Sequence, residues 1–191
     1  MTRQEAYAIL IKYLTNKNLI KHCLATEVTM KALYKRLTPK EEYNASGEEM
    51  WGLTGLLHDA DYELSKDHPE KHGLLLFEKE PNIIPEQIAY AIKSHNYQYT
   101  HFLPKSKMDW AITTCDQLTG LIVAAALIHP DRKLASINST FVLSRFKEKS
   151  FARGADRQSI MRCEKELGIT LEEFVVITLT AMQSISNDLG L

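Results

Sequence analysis

The sequence predicts an all-α protein. Three observations carry that expectation. Thr2–Glu5, Ser46–Glu49 and Thr170–Glu173 each match the S/T-x-x-E capping box that opens helices. Apolar residues recur at three- and four-residue spacing along most of the chain. No alternating apolar–polar stretch is long enough to make a convincing strand. About eight helices are expected, in one domain over residues 1–191. Its core falls near residues 18–130, and residues 131–191 form a C-terminal helical elaboration.

Each element has a local reason. Behind the Thr2 box, Ala6, Ile9, Leu10 and Tyr13 form one helical face. A second helix follows Asn18 and carries Leu19, Cys23, Val28 and Leu33. Pro39, Asn44 and Gly47 mark Thr38–Gly47 as a loop. A third helix runs from about Glu48 through Trp51, Leu53, Leu56 and Leu57 to His58-Asp59. The polar stretch Asp61–Asp67 precedes a fourth, opened by Pro69, since proline suits a first turn. Pro85 opens a fifth, with Ile88, Ala91 and Ile92 on one side, ending near His95. A long sixth spans roughly Lys107–Ile128 and stops at His129-Pro130, with Asp109 in its first turn favouring the dipole. A basic, irregular region, Asp131–Gly154, holds a short helix around Thr140–Arg145. Helices over Asp156–Leu167 and Leu171–Asn187 close the chain.

Composition excludes several classes. Of 191 residues, 45% are hydrophobic and 25% charged, so disorder and a disulfide scaffold are disfavoured. Lys and Arg total 23 against 24 Asp and Glu. That near-neutrality argues against an extended nucleic-acid surface but leaves room for a local phosphate pocket. Cys23, Cys115 and Cys163 are odd in number and form no Cys-x-x-Cys pair, so they read as reduced, buried thiols. The N-terminal residues lead into an amphipathic helix and not a secretory core. The longest apolar run, Leu121–Ile128, falls well short of the roughly 20 residues that span a bilayer. A cytoplasmic protein without membrane contact is expected.

The sharpest chemical feature is His58-Asp59 at the end of an apolar helix. Imidazole and carboxylate together suit Fe, Mn, Co, Ni or Zn. His22 lies one turn from Leu19 and can face inward. His72 and His95 sit on, or at the ends of, the next two helices. Asp116 falls on an apolar stripe of the long helix, with Ile112 one turn before it. A buried carboxylate there costs several kcal/mol unless it meets a cation or is protonated.

His22, His58-Asp59 and Asp116, in that order on successive helices, resemble the H…HD…D signature of the HD superfamily of metal-dependent phosphohydrolases. His72-Gly73 and His95 are similar to the two extra histidines of its binuclear members. The likeness is to a subgroup of small HD hydrolases. It runs through Gly55–Glu63, Asp116–Ile122 and Lys149–Gly154 and covers nearly the whole chain. It implies an HD-type helical bundle with ligands converging on its centre, and two divalent ions. Fe or Mn is favoured, with Ni, Co, Zn or Mg as alternatives. Carried over, Asp59 bridges; His22, His58 and Asp116 hold one ion; His72 and His95 hold the other. Asn96-Tyr97-Gln98 departs from the run that follows the histidine in cyclic-dinucleotide phosphodiesterases. Ala60-Asp61 stands where HDIG members have Ile-Gly, and Asp61 can accept a hydrogen bond from a metal ligand.

The resemblance implies hydrolysis of a small phosphorylated metabolite or nucleotide, by water that the metals acidify and with His58 and Asp59 at the reacting centre. Lys133, Lys149 and Arg153 are the candidate phosphate-binding cations. Two other classes remain open: a di-iron oxygenase built on the same ligands, and a non-catalytic metal-containing binding module. The last long helix, with Phe174, Val175, Val176, Ile177 and Leu179, packs on the core or on a second copy of the chain.

Overall fold

The computed structural model describes residues 1–191. It is 68% helical with no strand, so the all-α expectation holds. The helices are α1 (Arg3–Tyr13), α2 (Lys17–Leu37), α3 (Ala45–Leu57), α4 (Leu75–Lys79), α5 (Glu86–His95), α6 (Tyr97–Thr100), α7 (Lys107–Ile128), α8 (Ser139–Lys147), α9 (Arg157–Arg162), α10 (Leu171–Gln183) and α11 (Ser186–Leu189).

Helices α2, α3, α5 and α7 form the frame. α2 and α3 pack most closely, and Gly55 allows it: a Cβ there would sit 2.6 Å from the Thr26 carbonyl oxygen. α7 is buried over much of its circumference, through Ile112, Cys115, Leu118, Leu121, Ile122 and Ala125. By length and composition it could cross a membrane, but its surroundings here are those of a core helix.

The apolar residues fall into two clusters. One joins α1 to α2, α3 and α5 through Leu10, Leu14, Cys23, Leu56, Leu57, Ile88 and Ile92. The other joins α2 and α7 to the C-terminal helices through Met30, Leu33, Ile112, Leu118, Ile122 and Phe174. Phe174, Val175 and Leu179 of α10 are buried in that second core, while Val176 stays exposed. All three cysteines are buried and unpaired.

Several boundaries differ from the sequence expectation. Thr2 forms the full capping box, but Ser46 does not open α3. Asn44 caps that helix, its side chain accepting from the Gly47 N–H at 2.8 Å. α2 begins at Lys17, because Asn16 accepts from the Asn18 N–H. Ser106 and Asp109 make a reciprocal capping box on α7, so Asp109 is buried and bonded and is more than a dipole charge. The helix expected from Pro69 shrinks to a 3₁₀ turn over Pro69–Lys71, followed by the short α4. Gly73, at φ +84°, ends the turn by entering the left-handed region. The last expected helix is two, since α10 ends at Gln183 and α11 is a separate turn.

Candidate metal centre

The four histidines and two aspartates singled out above meet where the two apolar clusters abut. His22 lies in the second turn of α2. Its carbonyl accepts from the Thr26 hydroxyl at 2.9 Å, one turn on, where α3 crosses. His58 caps the C-terminal end of α3, and Asp59 follows it. His72 follows the 3₁₀ turn, His95 ends α5, and Asp116 lies mid-way along α7. His58 is fully buried and Asp59 nearly so.

The ligand atoms form two groups that share one residue. The first is His22, His58, Asp59 and Asp116; the second is Asp59, His72 and His95. In the first, His22 Nε2 lies 2.9 Å from Asp116 Oδ1, 3.2 Å from His58 Nε2 and 3.5 Å from Asp59 Oδ2. His58 Nε2 lies 3.5 Å from Asp59 Oδ1. In the second, His72 Nε2 is 3.1 Å from Asp59 Oδ1 and 3.0 Å from His95 Nε2. Asp59 thus turns one oxygen towards His22 and the other towards His58 and His72.

Every ring is held from behind. His58 Nδ1 donates to the Gly55 carbonyl at 2.8 Å, and His95 Nδ1 to the Ile92 carbonyl. His72 Nδ1 donates to Asp61 Oδ1 at 2.9 Å. His22 Nδ1 donates to the Thr119 hydroxyl at 3.3 Å, and that hydroxyl donates to the Asp116 carbonyl. With Nδ1 engaged outward, all four Nε2 atoms point into one space. This is the orientation a metal-ligating imidazole needs.

Asp61 does more than hold His72. Its carboxylate is 1% exposed and also accepts from the backbone N–H of Gly73 at 3.0 Å and of Leu76 at 3.1 Å. It therefore fixes the turn that carries His72. Gly73 is wedged beside it, and a Cβ there would meet the Ile92 carbonyl at 3.1 Å and His95 Cε1 at 3.5 Å.

The electrostatics favour positive charge. Burial raises Asp59, but His58, His72 and His22 outweigh it and hold it well below the usual carboxylate range. Burial likewise raises Asp116, while His22 and His58 pull it far down. Burial lowers His58, yet Asp59 and Asp116 push it up to about 8. Burial lowers His72, yet Asp59 and Asp61 push it up to about 10. His95 falls to about 4 through burial and the neighbouring charges of His72 and His58. The two inward carboxylates are met here by protons on two histidines. A divalent cation supplies the same charge and accepts the lone pairs that those protons occupy.

The spacing fits that exchange. Metal–nitrogen bonds of about 2.0–2.1 Å at tetrahedral or octahedral angles put neighbouring nitrogens about 2.9–3.4 Å apart. The two Nε2···Nε2 distances, 3.2 and 3.0 Å, lie inside that range. The buried His/Asp cluster can therefore hold a metal ion, and its donor set divides into two overlapping groups.

The candidate phosphate-binding cations are placed unevenly. Lys149 and Arg153 line a basic cavity with Phe146, Lys147 and Arg157. That cavity shares Gly154 and Ala155 with the cleft lined by His22 and Asp116. Lys133 lies elsewhere, exposed on the turn beyond the end of α7. At 1.5 Å per residue, that end is about 18 Å along the helix from Asp116. His68 is exposed and pairs with Glu70, so only His72 of the two enters the cluster.

Two residues of the surroundings carried no visible signal in the sequence. Gln117 donates to Asp116 Oδ2 at 2.7 Å, and its carbonyl accepts from the Asp156 N–H at 3.0 Å. It ties a ligand to the loop before α9. Arg157 donates to the carbonyls of Phe151, Ala152 and Ala155 and so holds that loop closed, with Ala152 in the left-handed region at φ +42°. A scan against protein-family models and searches of curated proteins and of solved structures find no match to this chain.

Proposed function

We propose that the chain is an HD-type metal-dependent phosphohydrolase that acts on a small phosphorylated substrate and uses two divalent ions, Fe or Mn first among them. The observation that carries this reading is Asp59, shared by two sets of inward-facing donors. The H…HD…D order of the same residues in the sequence supports it. His22, His58 and Asp116 would hold one ion, His72 and His95 the other, with Asp59 between them. When bound, such ions lower the pKa of a coordinated water from 15.7 to roughly 7 and draw charge from phosphoryl oxygens.

The chain's own groups prepare that chemistry. The outward Nδ1 bonds of His58, His72 and His95 turn each Nε2 towards the space an ion would take, where the ion would replace the Nε2 protons of His58 and His72. Asp61 and Gln117 stiffen His72 and Asp116, so little reorganisation accompanies binding. Lys149 and Arg153 stand along the route to the cleft and attract an anionic substrate.

The test is elemental analysis of the purified protein alongside a panel of phosphate monoesters. The expected result is about two metal atoms per chain and turnover of at least one ester, both lost in Asp59→Ala. Metal without turnover, but with substrate-dependent oxygen consumption, would transfer the site to oxygenase chemistry. Full activity and metal content in Asp59→Ala would overturn the reading.

A further inference from the structure

Asp116 opens a stripe along α7. Gly120, Val123 and Leu127 follow it at helical spacing on the same side. These three, with His22 and Lys21 of α2 and Leu189 of α11, line a groove of about 370 Å³. The metal-side cleft, of about 330 Å³, is lined by His22, Asp116, Gln117 and Gly120 among others. His22 and Gly120 belong to both, so the groove is continuous with the cluster.

Gly120 is the junction. It sits in the interior of a 22-residue helix, where glycine is a poor choice. Its φ is not in the left-handed region, and no neighbour demands its small size: a Cβ there meets nothing within 4 Å. A larger side chain would project into the open space between cluster and groove. Beyond it Val123, Leu127, Leu189 and Leu191 form the apolar part of the walls, with Leu127 49% exposed, and Asn18, Lys21 and His22 are the polar side chains.

We propose that this groove receives the organic arm of the substrate, and that the arm is apolar and uncharged, such as an alkyl or aryl group. The phosphate sits at the cluster, and the arm passes over Gly120 to Val123, Leu127 and Leu189. This rests on the phosphohydrolase reading and narrows its substrate class away from nucleotides, whose sugar and base would find few polar partners on these walls.

The test uses phosphonates, which bind without being cleaved. Calorimetry on the metal-loaded chain compares methylphosphonate with butylphosphonate, and elemental analysis accompanies each sample. Each buried methylene is worth roughly fourfold, so the butyl compound is expected to bind at least about tenfold more tightly. Gly120→Leu should erase that preference while keeping metal content. Leu127→Lys, at an exposed position, should weaken it in the same direction should the first variant fold poorly. Equal affinity for the two phosphonates in the wild type, or an undiminished preference in both variants, overturns the groove assignment and leaves the metal centre untouched. A wild-type chain that takes up no metal overturns the hydrolase reading and the groove assignment with it.

Discussion

Replacing Asp61 with asparagine tests how the second donor group is held. The carboxylate spends both oxygens: Oδ1 accepts from His72 Nδ1 and the Gly73 N–H, and Oδ2 from the N–H groups of Gly73 and Leu76. Asparagine keeps the size and one acceptor. It turns an NH₂ towards the Leu76 N–H, which leaves a buried donor without a partner at about 1–3 kcal/mol. For a domain of this length, about 2 kcal/mol lowers the melting temperature by roughly 4–8 °C. Loss of the charge behind His72 should weaken metal binding by about 10–100-fold. The loss should be confined to the Asp59/His72/His95 group, because His22, His58 and Asp116 do not touch Asp61. Titration against a chromophoric chelator resolves the two classes of ion, and thermal melting of the metal-free protein gives the stability term. Two ions bound as tightly as in the wild type, or both weakened equally, would refute the reasoning.

Further outcomes follow from the same geometry. Metal affinity should rise with pH, because an incoming ion must displace the protons of His58, pushed up to about 8, and His72, pushed up to about 10. The gain is about tenfold per unit per proton, flattening for the first group above its pKa, and is read by chelator competition at fixed ionic strength. The metal-free fold should show the opposite slope: unfolded, these histidines release their protons near 6.5, so melting temperature falls as pH rises from 6.5 through about 8 for His58 and on to about 10 for His72. Gly55→Ala should cost about 1–3 kcal/mol or more, since its Cβ meets Thr26 and Glu27 backbone at 2.6–2.8 Å and must drive α2 from α3. Gly120→Ala, with open space at its Cβ, should leave the melting temperature unchanged or higher, and a comparable loss in both would refute the packing argument.

The helices were legible because each has local cause. Thr2 and Thr170 cap where their patterns say, and α5 and α7 begin and end near Pro85, His95, Lys107 and Ile128. One misreading is a choice between two local caps, and the other is a place where a longer-range bond outbids a local one. Ser46 fits a capping box, yet Asn44 reaches the Gly47 N–H first. Pro69 suits a helix start, but Asp61 takes the Gly73 and Leu76 N–H groups and holds the chain in a turn instead. In the site, residue type and order single out His22, His58, Asp59, His72, His95 and Asp116, because carboxylates and imidazoles on apolar faces need an explanation. Gln117 and Arg157 gave no such signal. Glutamine after aspartate and arginine at a helix start are unremarkable in sequence, and only folding brings them against Asp116 and the loop at Phe151–Ala155.

The two apolar cores bear on how readily an ion comes and goes. His22 and Asp116 are 94 positions apart in the chain. Holding such distant points together costs a free chain about 4–5 kcal/mol of entropy. Here α2 and α7 are brought together by leucine, isoleucine and methionine contacts that involve no ligand. The donors are therefore gathered before any ion arrives, unlike a zinc finger, in which binding and folding are one event. A chelator should strip such a centre without unraveling the chain. Which ion such a centre would take up is then set by the free ions around the folded protein and not by those present while the chain folded.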